Sequence, residues 1–193
     1  MRVAGGRQRA LVGFAAFGVF WGAWGAALPA LQRRSGADDG ELGLAFVLVG
    51  LGALVSMRAT GVLLDRLGPR LTPVTIALFA AAGMLPGLAT SPAVLFAFVV
   101  LLGVTSGAMD VAINNDAVRE EGASGRPLLN LAHACFSASV VGASVATGLL
   151  RAASRVDDDK SVDVTVPVVV VGGEVHVAVG RHGGVPGHGT SVG

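Results

Sequence analysis

The sequence predicts an all-α membrane protein, and three observations support this fold class: composition, long apolar segments and the placement of glycines. Apolar residues make up 52% of the 193 residues and charged residues only 14%, against about 25% charged residues in soluble domains. The mean hydropathy is +0.68, and glycines lie inside the apolar runs, as is common in membrane helices. This composition argues against a soluble enzyme, and a net charge of +1 argues against a nucleic-acid partner.

Five apolar segments have the length of a spanning helix, which needs about 20 residues. They cover residues 11–31, 42–64, 72–89, 93–112 and 127–150, and we expect the fourth to continue as helix to Val118. Strands are not expected there, because backbone exposed to lipid must satisfy its hydrogen bonds within a helix or a closed barrel. A signal peptide is the alternative for the first segment, but its length and the four segments that follow favour a membrane helix.

The arginines predict a cytoplasmic N-terminus, because short inner loops of membrane proteins are enriched in Lys and Arg. In this orientation the inner set is Arg2, Arg7, Arg9, Arg66, Arg70, Arg119 and Arg126. The outer loops before residue 150 hold only Arg33 and Arg34. We expect the protein to lie in a bacterial inner (plasma) membrane.

The most specific local pattern is segment 61–70, Gly-Val-Leu-Leu-Asp-Arg-Leu-Gly-Pro-Arg, directly after the second apolar segment. It resembles the G-x-x-x-D-R-x-G-R-R signature of the major facilitator superfamily, found in the cytoplasmic loop between the second and third helices. The resemblance implies that Asp65 steadies the outward-open state across the two halves of a transporter. The remaining matches, which would shape this gating loop, are Gly61, Arg66, Gly68 and Arg70. Pro69 departs from the signature, and Arg and Gly are common in any short inner loop.

Polar residues within the apolar segments form a second candidate site. An acidic side chain inside a bilayer costs free energy, and by default it faces a cavity or a partner. Asp110 and Asn114 share a helix face four residues apart, and His133 in the fifth segment is expected at a similar depth. Asp110 and His133 could then carry a proton. In the alternatives, Asp110 is merely interfacial and His133 is satisfied by a backbone carbonyl.

The order of these polar residues is similar to that in the fucose-permease-like branch of the superfamily. The matching patterns are D-x-x-x-N-N from Asp110, R-P-L-L-N-L-A-H over residues 126–133, and the F-S that follows. The resemblance implies that Asp110, Asn114, Asn130 and His133 line the solute and proton path. Sugar symporters of this branch carry an acid in helix one, whereas residues 24–29 are wholly apolar here. The substrate and the direction of transport therefore stay open.

Arg58 lies about two helical turns before Asp65 and could form an ion pair with Asp65 or Asp110. The alternative is that its guanidinium reaches the membrane surface along its own apolar stem. Nothing in the sequence resembles a P-loop, a nucleophile elbow or a dinucleotide turn. We expect no enzyme activity, no cofactor and no metal site, since the tail histidines 176, 182 and 188 lie in a glycine-rich stretch that holds no ligand geometry.

The resemblance covers residues from about 10 to 150 and implies five helices of a six-helix major-facilitator half-bundle, so residues 1–150 are expected to form the transmembrane domain. Residues 151–193 change abruptly to Val, Gly, Asp and His and contain no aromatic residue. This tail is either irregular or β-like, or it is disordered and arises from a shifted reading frame. We favour the shifted frame, because the break falls where a sixth helix is expected.

The sequence therefore predicts an N-terminal fragment of a secondary transporter that moves a small solute and is coupled to protons. Its partners would be the lipid bilayer, the solute, protons and a missing second transporter half. The alternative is a small non-transporting membrane protein that associates with other helices through Gly18/Gly22 and Gly103/Gly107.

Overall fold

The computed structural model describes the backbone of residues 3–156 and of four short tail segments, and the side chains of residues 5–153. The helices of this part are α1 (Val3–Ser35), α2 (Asp39–Leu67), α3 (Leu71–Met84), α4 (Pro92–Ser124) and α5 (Leu129–Val156). Single 3-10 turns, Gly68–Arg70 and Pro86–Leu88, follow α2 and α3. The prediction of a helical membrane protein is confirmed: four helical stretches, 5–35, 39–88, 92–124 and 129–153, are long and apolar enough to cross a membrane.

The helices extend beyond the apolar segments that predict them. Helices α1 and α4 have 33 residues each, or about 50 Å, whereas the hydrocarbon core of a bilayer is about 30 Å thick. Their ends carry charged residues such as Arg7 and Glu121, so both helices continue past their apolar segments into polar surroundings. Helix α5 likewise continues past residue 150 to Val156.

Helix α3 is shorter than the predicted segment 72–89. It has 14 residues and ends at Met84, which gives about 21 Å of helix. The physical reason is Pro86, which has no N–H to donate and whose ring obstructs the carbonyl four residues before it. The chain turns once more as a 3-10 helix over Pro86–Leu88 and then enters α4 at Pro92.

Helix α2 begins with a capping box. The Asp38 carboxylate accepts from the N–H of Glu41 at 2.8 Å, and the Glu41 carboxylate accepts from the N–H of Asp38 at 2.9 Å. Two N–H groups that the first turn leaves without helical partners are thereby satisfied reciprocally.

We expect Asp38→Ala to lower the free energy of unfolding by about 1 kcal/mol, the usual cost of losing an N-cap acceptor. Asp38→Asn is the matched control, because its amide oxygen caps a helix nearly as well. Chemical unfolding in detergent micelles measures both. Equal losses in the two variants would contradict the capping role.

Two glycine-mediated pairs organise the bundle: α1 packs chiefly against α5, and α2 packs chiefly against α4. In the first pair, Gly18 and Gly22 of α1 lie against the backbone carbonyls of Phe136 and Val140. The absence of a side chain lets the two backbones approach closely, as in other small-residue interfaces of membrane helices.

In the second pair, Gly103 and Gly107 of α4 lie against the carbonyls of Val49 and Ala53 in α2. Gly52 of α2 makes the equivalent close contact in the other direction, since a Cβ there would lie 2.9 Å from the carbonyl oxygen of Val100 in α4. Each pair therefore depends on glycines at intervals of four residues.

Helix α3 packs against α4 and contacts α1 through aromatic rings. Phe79 of α3 makes edge contacts with Phe17 and Phe20 of α1 at 5.2 and 4.6 Å between ring centroids. Phe14 and Leu102 are 1% and 0% exposed in the same cluster, which also includes Leu128 and Ala132. The core therefore lies between α1, α3, α4 and the start of α5.

The described tail segments are β1 (Val164–Thr165), β2 (Val168–Val171), β3 (Glu174–Val177) and β4 (Gly180–Arg181). Strand β2 pairs antiparallel with β3, with Val168 opposite Val177 and Val171 opposite Glu174. Strand β1 pairs antiparallel with β4. The alternatives for the tail, including the shifted reading frame, all stay predictions.

Candidate functional site

Asp110 and Asn114 form the α4 part of the candidate site. The Asn114 side-chain amide donates to the backbone carbonyl of Asp110 at 2.9 Å and to its carboxylate at 3.2 Å. Both residues are half-buried, and Asp110 lies nine residues before Arg119. Asn114 therefore fixes the orientation of the carboxylate from one turn further along the helix.

His133 supplies the α5 part of the site. Its ring stands edge-on to that of Phe14 in α1, with centroids 5.0 Å apart and planes at 76°. It is close enough to Asp110 for a direct electrostatic interaction. Within residues 5–153 it has no hydrogen-bond partner, so the carbonyl-satisfied alternative does not describe this structure. Among the described residues, no hydrogen bond or ion pair joins Asp110 to His133, and their predicted pairing stays a prediction.

Asn130 lies three residues before His133 on α5, and both side chains are exposed. We call Asp110, Asn114, Asn130 and His133 the polar cluster. Its α4 members are half-buried and its α5 members are open, so it faces outward from the five helices. The open side therefore presents a carboxylate, an imidazole and amide groups, all of which can form hydrogen bonds.

The predicted gating loop lies at the junction of α2 and α3, apart from the polar cluster. Gly68 ends α2 with φ 62° and ψ −154°, a conformation that only glycine adopts without strain. Leu64 before it and Leu71 after it pack on Ala112 of α4. The loop is thus anchored two residues beyond Asp110.

The charged side chains of this loop are exposed, namely Asp65, Arg66 and Arg70. Gly61 lies half-buried on α2, with no heavy atom near its would-be side chain. Arg58 is also exposed, and the described side chains include no ion-pair partner for it. Its exposure fits the alternative in which the guanidinium reaches the membrane surface.

Three polar residues outside the predicted site join helices to one another. Ser144 of α5 donates to the Gly22 carbonyl at 3.1 Å, and Arg151 donates to the Ala26 carbonyl at 2.8 Å. Pro29 lies inside α1, three residues beyond Ala26. Arg151 lies beyond residue 150, where the sequence pattern changes, so no local signal indicates this role.

The third is Glu121, near the end of α4. Its carboxylate accepts from the backbone N–H groups of Leu128 and Leu129 at 2.7 and 2.9 Å. The available signal is that Leu128, at the N-cap of α5, has no side-chain acceptor, which leaves those donors in need of a distant one.

No group of three metal-binding side chains occurs among the residues that the structure describes. The tail histidines 176, 182 and 188 lie outside the side chains described. Four apolar stretches of spanning length, with a half-buried polar cluster between two of them, define a multi-helix integral membrane protein.

Comparisons with known proteins agree with this class. The chain is 34% identical over 134 residues to an uncharacterized transporter of Sinorhizobium fredii, over 67% of this chain and 34% of that protein. It is 34% identical over 139 residues to an uncharacterized MFS-type transporter of Yersinia pestis, over 69% and 35% of the two chains. The membrane protein MosC of Rhizobium meliloti is 27% identical over 134 residues, over 69% and 33%.

The chain thus spans about a third of the length of the curated relatives it matches. No family profile and no solved structure matches it. The relatives named as transporters point to membrane transport as the kind of activity, and one of them carries the name of the major facilitator superfamily.

Proposed function

We propose that the chain forms the first five helices of a proton-coupled secondary transporter of the major facilitator superfamily. The observation that carries the proposal is the convergence of Asp110, Asn114 and His133 from two helices of spanning length. An acid within a spanning helix is retained where it serves a solute or proton path. The similarity to transporters over two thirds of the chain supports the same class.

In this proposal the remainder of a longer protein closes the open side of the polar cluster. The relatives are about three times as long as the matched region, as a second half-bundle requires. The arginine distribution supports a cytoplasmic N-terminus in a bacterial inner membrane. The fucose-permease-like patterns favour a small polar solute, bound near the midplane between the two halves.

The alternative of a non-transporting, helix-associating protein has no observation in its favour. The glycine faces that it requires are already filled, Gly18 and Gly22 by α5 and Gly103 and Gly107 by α2. They serve the internal packing of this chain and leave no free small-residue face at those positions.

The test is solute-driven proton uptake into proteoliposomes that contain a pH-sensitive dye. A longer in-frame version of the chain should acidify the lumen on addition of at least one solute from a panel of small polar compounds that includes fucose, galactose and glucose. The 193-residue chain alone should give the background rate, because half of the cavity is missing. Equal uptake by both proteins, or none by the longer one, would contradict the proposal.

A further inference from the structure

The connection between α4 and α5 is held at both ends by one residue. The backbone carbonyl of Glu121 accepts from the N–H of Gly125, which closes α4 with φ 65°. A single oxygen of its side chain accepts from both Leu128 and Leu129 at the start of α5. Glu121 therefore ends one helix and begins the next.

The start of α5 has no local acceptor for these donors. The carbonyl of Leu128 accepts the first helical bond, from Ala132 at 2.9 Å, so Leu128 occupies the position where Ser, Thr, Asp or Asn usually caps a helix. Leucine has no oxygen to offer, and the preceding Pro127 has no N–H. A carboxylate at this end also favours the helix dipole, and its hydrogen bonds are of the stronger, charge-assisted kind.

We call the two hydrogen bonds from Leu128 and Leu129 to the Glu121 carboxylate the clamp. The clamp matters for the polar cluster because α4 and α5 pack mainly on other helices. Helix α4 packs on α2 and α3, and α5 packs on α1. The position of His133 relative to Asp110 is therefore set by three restraints. The first is the packing of α5 on α1, with Phe14 against the His133 ring, and the second is the burial of Leu128 and Ala132 in the core that α4 shares. The third is the link through Glu121.

We propose that Glu121 is a positioning residue, which holds the first turn of α5 so that His133 stays opposite Asp110. The role of that pair in moving protons rests on the proposed function, whereas the positioning itself does not. Glu121 makes no contact with the polar cluster and acts only through the α5 backbone.

The clamp should also persist across the pH range in which a histidine titrates. Glu121 lies about two turns beyond the apolar part of α4, next to the loop at residues 125–127. The hydrogen bonds from Leu129 and Leu128 lower the pKa of its carboxyl below the ordinary value. It thus stays ionised between pH 5 and 8 and keeps its charge-assisted hydrogen bonds across this range.

The test is the distance between spin labels on α4 and α5 in lipid nanodiscs, measured by pulsed electron paramagnetic resonance. The labels are attached at Val118→Cys and Ala138→Cys, both exposed positions, in a Cys135→Ala background. A second pair, at Gln8→Cys and Ala138→Cys, reports α1 against α5 and serves as the folding reference.

In Glu121→Ala, the fraction of molecules whose α4–α5 distance differs from that of the wild type should rise roughly tenfold. This is the effect expected from the loss of one charged hydrogen bond. Glu121→Gln should restore the wild-type distribution, because its amide oxygen can accept both N–H groups. Glu120→Ala is the matched control, since it removes the same charge one residue away. In all variants the α1–α5 distance should stay unchanged, and the wild-type α4–α5 distance should be the same at pH 5.5 and pH 8.

A wild-type distribution in Glu121→Ala, or an equal displacement in Glu120→Ala, would overturn the positioning role. In the longer transporter, Glu121→Ala should also shift the pH profile of solute-driven proton uptake, and Glu121→Gln should return it. An unchanged profile in Glu121→Ala would overturn the link to the pair while leaving the proposed function intact. Absence of uptake by every form would reject the proposed function, and the distances would still decide the geometry.

Discussion

Gly18→Ala and Gly103→Ala are each expected to destabilise the helix bundle by about 1–3 kcal/mol, the usual cost of overpacking. A Cβ at Gly18 would overlap the carbonyl of Phe136, and one at Gly103 would overlap that of Val49. Backbone atoms cannot rotate away as a side chain can, so the paired helices must separate. The methyl group that clashes is the smallest possible side chain, which makes the substitution a direct probe of backbone contact.

The matched controls are Gly25→Ala on α1 and Gly50→Ala on α2, where no heavy atom lies within 4 Å of the added carbon. These should be neutral or stabilising by up to about 1 kcal/mol, because alanine favours helix more than glycine does. The two classes of substitution are therefore expected to change the free energy of unfolding in opposite directions. Unfolding in detergent micelles measures both, and similar effects in the two classes would show that helix propensity, not close packing, governs these positions.

Asp110→Asn is expected to lower solute-driven proton uptake by the longer transporter by roughly 100-fold or more, the lower end of what a positioned proton-transfer group contributes. The amide keeps the size of the side chain and cannot release a proton. Exchange of labelled solute across the membrane at equal pH should persist, because it needs no net proton movement. The loss of uptake with retained exchange would assign Asp110 to coupling.

Asp116→Asn is the control for this prediction. Asp116 lies six residues further along α4 and interacts electrostatically with Arg119 and Arg9, away from His133. Asp116 is half-buried, so its replacement also controls for the loss of a half-buried carboxylate on the same helix. We expect uptake to remain within about threefold of the wild type, because Asp116 has no interaction with His133. Unchanged net uptake in Asp110→Asn would rule out proton coupling through that residue.

The sequence predicts the helices well because a spanning segment needs little more than length and hydropathy. It misplaces helix ends for physical reasons: charged residues such as Arg7 and Glu121 continue a helix into water, and Pro86 stops α3 early. The glycine faces can be recognised in the sequence from the four-residue spacing of the glycines. That spacing does not determine which helix packs against each face. That choice depends on three-dimensional topology.

Part of the candidate site is also within reach of sequence reasoning. Asp110 and His133 are indicated by the free-energy cost of placing an ionisable side chain in a membrane. They are also expected at a similar depth in the bilayer. Glu121 is not, because its partners are seven and eight residues away across a loop and no helical spacing links them. Arg151 is hidden by the change in composition that begins at its position.

The pairing of α1 with α5 imposes an order on how the protein is made. Gly22 meets Ser144, which is 122 residues later in the chain, so at 5–20 residues per second a ribosome needs on the order of 10 s to supply the partner. During that interval the glycine face of α1 lies against lipid. The α2–α4 pair closes much sooner, and we therefore expect it to act as the early template on which α1 and α5 are assembled in the membrane.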